Sequence, residues 1–170
     1  MTLDHFTTAR LRGERLLAEH EPDIRRIQSD PDVMALLGGP RDEAKTAAYM
    51  VRNLAHWERH GHGVYLLRER DSDTVAGLGC LRNLDLEGVP EIEIGYLFFK
   101  QYWGQGLGTE VAQACLDLGF GLLEAPSLVA LTDPKNYGSQ GVMKKVGMQF
   151  EREMLLDGTP VVVYRGMRPA

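Results

Sequence analysis

The chain has 170 residues, 44% of them hydrophobic and 25% charged, with a formal net charge of −5. This is the profile of one soluble globular domain, residues 1–170, large enough to bury a sizeable core. No Lys/Arg run neutralises phosphates, which argues against nucleic acid, and no apolar stretch reads as a signal peptide or a membrane span.

An acidic balance suits a cationic or amine-bearing substrate through long-range attraction. Cys80 and Cys115 lie far apart and in no Cys-x-x-Cys motif, so two reduced thiols in a cytoplasmic chain are expected. In chain order, residues 9–16 predict a first strand broken by Gly13, and residues 23–29 a helix. Asp30-Pro31-Asp32 restarts a short helix that Gly38-Gly39-Pro40 stops. A longer helix follows, with Ala44, Ala47, Ala48, Val51, Leu54 and Ala55 at three- and four-residue spacing as its predicted buried stripe. Residues 64–67 and 74–81 predict a hairpin around the turn Asp71-Ser72-Asp73.

After a polar loop, residues 91–98 predict a strand that alternates first and is then apolar on both faces, as where both sides are covered. Gly104, Gly106 and Gly108 follow, and Leu107, Val111, Ala114, Cys115, Leu118 and Leu122 form one stripe of a helix. Residues 127–132 read as a short buried strand and 139–146 as a short helix ended by Gly147. Asp157-Gly158 turns a closing hairpin over residues 148–165. The order gives an α/β (α+β) domain with a mixed sheet.

A strand entering Gly104, Gly106 and Gly108 and then a helix is the layout of an anion site, because first-turn N–H groups are free and the helix dipole is positive there. There is no Gly-Lys-Ser/Thr and no GxGxxG spacing, so phosphate would be held without magnesium or phosphoryl transfer. A glycine turn that only permits tight helix–sheet packing is the competing reading.

Trp103-Gly104-Gln105-Gly106-Leu107-Gly108 resembles the (Gln/Arg)-x-x-Gly-x-(Gly/Ala) signature of the GNAT superfamily of N-acetyltransferases, with Trp at the first position as in a RimJ/RimL-like version. Leu36 to Pro40, Ile94-Gly95-Tyr96 and the segment Asn136-x-x-Ser139…Lys145-x-Gly147-Met148 are similar to further parts of that branch. The resemblance implies a mostly antiparallel sheet of about seven strands with a splayed central pair, flanked by helices. It also implies acetyl-CoA as cosubstrate, with no metal, and direct transfer to a primary amine, either a protein N-terminus or a small amine. Gln105, Gly106, Leu107, Gly108 and Thr109 would hold the pyrophosphate, the main chain of Leu97, Phe98 and Phe99 the pantetheine arm, and Asn136 would bond the same arm. A homodimer is compatible with the pattern; nucleic acid and membrane are not expected partners.

Glu91 and Glu93 share one face of their strand, and two neighbouring carboxylates raise one another's pKa, which suits a base for an ammonium. Glu93 is the chosen base; a solvated strand end is the alternative. The resemblance places a tyrosine acid four residues before Gly147, but Met143 stands there, so Ser139 is the substitute proton donor, with a helix N-cap as its alternative. Asn136 has an Asx-turn as its alternative. His56, His60 and His62 lack spaced partners for a metal shell and read as a hydrophilic helix end. The competing function is a CoA-binding sensor or scaffold without catalysis. A nucleotide-binding regulatory domain is disfavoured, because both phosphate-loop patterns are missing.

Overall fold

The computed structural model describes residues 1–170. Strands β1 (His5–Thr7) and β2 (Leu11–Arg15) lead to helices α1 (Glu21–Ser29), α2 (Pro31–Met34) and α3 (Glu43–His60). Strands β3 (Val64–Glu69), β4 (Val75–Leu86) and β5 (Val89–Phe98) follow, then α4 (Leu107–Gly121), β6 (Ser127–Thr132), α5 (Tyr137–Lys145), β7 (Gln149–Leu156) and β8 (Thr159–Met167). All eight strands form one sheet in the order β1-β2-β3-β4-β5-β6-β8-β7. The eighth, beyond the predicted seven, is β1, whose three residues are too few to show a period.

Helix α3 forms where predicted but buries another face. Thr46, Tyr49, Met50, Asn53 and Trp57 point inward, while Val51 is 71% exposed. Alanines fit either face of a helix, whereas Tyr49 and Trp57 carry most of the apolar area and so decide its rotation. Asp42 caps its first turn by accepting from Lys45 N at 2.8 Å, and Gly61 ends it at φ 68°. Trp57 Nε1 donates to Val64 O at 2.8 Å, so a buried indole has its partner and fixes α3 to the start of β3.

The polar stretch expected as a loop before Glu91 is instead the second half of β4 and a two-residue turn at Glu87-Gly88, both with positive φ. Leu84 and Leu86 turn inward there, and Leu86 packs with Val129 and Val163. This longer ladder sets Arg82 opposite Glu93 and Cys80 opposite Gly95. The closing hairpin turns at Asp157-Gly158 as predicted.

Every neighbouring strand pair is antiparallel except β5 and β6, which meet in parallel at one register position, Glu93 opposite Val129. Beyond it the two strands part, as the splayed pair requires. Helix α4 packs on β5 and β4, placing Val111 against Gly79. Tyr49 of α3 lies near Cys80 and Arg82, on the other face.

Candidate active site

The gap between β5 and β6 has one wall of main-chain groups. Phe99 N donates to Ala76 O at 3.0 Å, and antiparallel alternation then turns Leu97 and Gly95 toward β4 as well. The groups facing the gap are therefore those of Tyr96 and Phe98. The main-chain groups of Leu97 and of Phe99 N–H, expected to face the arm, face β4 instead, because a strand offers one neighbour only every second residue. Trp103, half exposed, donates its indole N–H to Phe98 O at 2.9 Å. Tyr96 N–H, Tyr96 C=O and Phe98 N–H remain as the open edge.

At the end of that edge the chain turns through Gly104 (φ 72°) and Gly106 (φ 82°), and Gly106 starts α4 with no side chain capping its first turn. The amides of Leu107, Gly108 and Thr109 are thus available to an anion. Gly108 has another purpose: a Cβ there would lie 3.4 Å from the Tyr96 ring and from Val142. The third glycine sits where α4 approaches β5 and α5, so close helix–sheet packing accounts for Gly108, while the uncapped turn at Gly106 keeps the expected anion site open.

Sequence reasoning missed Arg10. Its Nη2 donates to Gln105 O at 2.7 Å and its Nε to Glu110 Oε1 at 2.6 Å, while Thr8 Oγ1 donates to Glu110 Oε2 at 2.6 Å. Burial pushes the Glu110 carboxyl up, but the bonds from Thr8 and Arg10 outweigh it and hold it below the usual carboxylate value. The Gln105 amide folds back onto Gln101 O. A cleft of ≈ 440 Å³ adjoins this turn, lined among others by Thr8, Gly106, Thr109, Glu110 and Lys145.

Across the gap, Asn136 Oδ1 accepts from Ser139 N at 3.1 Å, so Asn136 is the N-cap of α5. Ser139 sits inside the first turn and is not the cap. Its Oγ lies 3.1 Å from the Tyr96 hydroxyl, which also donates to Ser139 O at 3.0 Å. Burial pushes the Tyr96 phenol up to about 12, with the Ser139 bond opposing, so it stays protonated. Tyr96 is a second residue the sequence did not reveal; the available signal was a tyrosine on a covered strand, whose hydroxyl needs a partner.

On the opposite face of β5, Glu93 is 12% exposed in its side chain and accepts from Arg82 Nε at 2.8 Å. Glu91 is held by Arg165 through two bonds of 2.6 and 3.0 Å. Each acid has its own arginine, so they do not form the like-charge pair that their spacing predicts. Glu93 in turn holds the Arg82 guanidinium well above its usual value. Burial pushes the Cys80 thiol up to about 12, which keeps it from acting as a thiolate nucleophile.

Two of the three neighbouring histidines, His56 and His62, are tied to the main chain, while His60 is exposed. His56 Nδ1 bonds His62 O at 2.8 Å and its Nε2 accepts from Asn83 N at 3.0 Å, which fixes one neutral tautomer and leaves no nitrogen lone pair for a metal. His62 Nδ1 bonds Leu81 O at 2.7 Å.

A family model described as an acetyltransferase (GNAT) domain matches residues 10–149. The Bacillus subtilis (strain 168) protein named uncharacterized N-acetyltransferase YnaD is 41% identical over 148 residues, 86% of this chain and 84% of its own. Among solved structures, an acetyltransferase from Agrobacterium tumefaciens str. C58 superposes with a TM-score of 0.83 at 27% identity, covering 98% of this chain and 95% of that one. RimL, an alpha-N-protein acetyltransferase of a ribosomal protein solved with coenzyme A, shares the fold with a TM-score of 0.76 at 17% identity, over 94% of this chain and 95% of that one. Because the family match takes in both the glycine turn and the strands that part, the chain belongs to the GNAT family of acetyltransferases, with the enzyme class of an N-acetyltransferase.

Proposed function

We propose that the protein moves the acetyl group of acetyl-CoA directly to a primary amine, on a protein N-terminus or a small molecule, within a ternary complex. The observation that carries this reading is the single ladder pair between β5 and β6. It leaves a strand edge open that runs into an uncapped helix N-terminus, and a linear pantetheine arm ending in a pyrophosphate fits such a sequence of donors. Acetyl-CoA supplies the activated thioester.

The amides of Gly106, Leu107, Gly108 and Thr109, with the Gln105 turn held by Arg10, bind the pyrophosphate. Tyr96 and Phe98 pair with the pantetheine amides while the side chains of Leu97 and Phe99 line the strand, and the free NH₂ of Asn136 bonds the arm. A Tyr96 or Phe98 N–H toward the thioester oxygen stabilises the charge that develops there. Glu93 takes the ammonium proton, directly or through water, when the incoming amine competes with Arg82 for it. As the amine nitrogen bonds the carbonyl carbon and the C–S bond breaks, the nitrogen loses its second proton and the Ser139 hydroxyl, backed by the Tyr96 phenol, relays it to the departing sulfur.

Mixing the protein with acetyl-CoA and a panel of amines, peptides and aminoglycosides while following free thiol tests this. Amine-dependent thiol release supports it; tight CoA binding with no turnover favours a non-catalytic CoA-binding module, the reading that the closed Arg82–Glu93 pair supports. In the same proposal the protein works in the cytoplasm, where the free thiols of Cys80 and Cys115 stay reduced; a secreted, disulfide-linked form would refute it. Exposed Phe150 and Leu155 on the outer strand β7 support a homodimer, and a monomer in sedimentation at micromolar concentration would refute that.

A further inference from the structure

The chain is acidic as a whole, yet the surroundings of Tyr49 are cationic. The guanidinium carbons of Arg41 and Arg52 lie 5.4 and 5.8 Å from the centre of the Tyr49 ring. Arg82 acts on the same ring from β4, alongside Cys80. The one carboxylate facing this cluster, Glu93, is taken by Arg82. Arg41 and Arg52 have no acidic partner: Asp42 caps α3, Glu43 pairs with Arg25 at 3.1 Å, and Asp32 with Lys100 at 3.3 Å. Burial lowers the Arg41 pKa, and the like charges of Arg52 and Arg82 add to the effect. Burial lowers the His56 pKa, against the bond to His62 O, and Arg82 adds to the effect, while its Nε2 already accepts from Asn83 N.

Tyr49 itself is 8% exposed, and its hydroxyl makes no hydrogen bond within the protein. The hydroxyl is open to solvent, so a phenol donor beside two arginines without counter-ions can offer its proton to an acceptor with negative charge. Arginine forks and an O–H donor together match the two oxygens of a carboxylate.

We infer that Arg41, Arg52 and Tyr49 bind a carboxylate carried by the acceptor, so that the substrate is an amine with an acid group a few bonds from its nitrogen. The inference rests on the acetyltransferase reading, which makes the Glu93 face of β5 the acceptor's side. A plain cationic amine would meet two uncompensated positive charges there, whereas a zwitterion presents its ammonium to Glu93 and its carboxylate to the arginines. Local charge thus reverses the preference that the net charge of −5 implies.

The test compares matched pairs: β-alanine against β-alaninamide, and an Ala-Asp peptide amide against its Ala-Asn counterpart. Free thiol release gives kcat/KM for each, and calorimetry gives the affinity of each amine for the protein saturated with coenzyme A. The acid member should win by about tenfold or more in at least one pair, as expected for one charge-assisted contact. Preference in the first pair assigns a free amino acid, and in the second an acidic N-terminal peptide. Arg41→Gln and Arg52→Gln should each bring the ratio toward one, while Arg52→Lys, which keeps the charge, retains part of it. Equal or reversed ratios in the wild type overturn the inference, as does a preference untouched by both glutamine variants. If no amine is turned over but calorimetry keeps the acid preference, the carboxylate site stands and the catalytic reading falls. Turnover without preference removes the carboxylate site alone.

Discussion

On the α4 side of β5 the candidate site is made of main-chain groups: the Tyr96 and Phe98 edge, the amides after Gly106, and glycines that let them be approached. On the α3 side it is made of charged side chains, with Glu93, Arg82, Arg41 and Arg52 around Tyr49. Main-chain geometry tolerates most changes of side chain, and in the proposed function this half serves one invariant cofactor arm. Side-chain charges can be altered one residue at a time, and the proposal places acceptor choice in this second half. The division predicts that changes on the α3 face alter rate and acceptor preference, whereas changes on the α4 face alter cofactor affinity.

The largest effect is expected at the meeting point of the two halves. Glu93→Gln should lower turnover by about 100-fold or more, with the loss greatest below neutral pH, where the amine holds its proton. It should also cost about 1–2 kcal/mol of stability by leaving the Arg82 charge without its counter-charge. A pH–rate profile of unchanged shape would remove Glu93 as the base. Gly108→Val tests the other side: its methyls would press on Tyr96 and Val142. It should cost about 1–3 kcal/mol and weaken coenzyme A binding, measured by thermal unfolding and calorimetry. Retained affinity would show that the approach of α4 to β5 does not set the turn.

Tyr96→Phe is a smaller perturbation, because it deletes only the hydroxyl bonded to Ser139. It should lower kcat by about tenfold to a hundredfold if that pair supplies the thiol proton, with KM for acetyl-CoA nearly constant. An unchanged kcat would leave solvent as the donor. The smallest effect concerns acid stability. Burial depresses the folded-state pKa of His56 and His62 below the usual imidazole value. Their contribution is complete above the unfolded pKa of about 6.5 and is lost as pH falls through the lower folded values. His62→Asn should flatten the fall in unfolding free energy below that pH in denaturant titrations, and an equally steep fall would reject the assignment.

What could be read from the chain itself follows the range of the interactions. The glycine turn, the Asp157-Gly158 hairpin and the α4 stripe are local patterns, set by residues within a turn or two of one another. The face of α3 was not legible, because alanines at helical spacing mimic a buried stripe that Tyr49 and Trp57 in fact define. Nor was the far half of β4, where Arg82, Asn83 and Asp85 between inward leucines look like a loop until β5 is laid beside them. In the site, Glu93 could be found from its alternation, but Arg82 as its partner depends on hairpin register. The Tyr96–Ser139 and Arg10–Gln105 contacts join residues 43 and 95 positions apart, and no window of sequence contains both members.

The Trp103 indole, bonded to the carbonyl at the end of the open edge, has a spectroscopic consequence. The chain has two tryptophans, and Trp57 is 1% exposed inside the core while Trp103 is 50% exposed beside the open edge where the proposal places the cofactor. Emission from Trp57 is a constant background, so any change on adding coenzyme A reports Trp103 alone. Titrating the ligand against that signal should give a saturable quench or shift that Trp103→Phe abolishes. Occupancy of the cofactor half can then be followed in real time, in the absence of any acceptor.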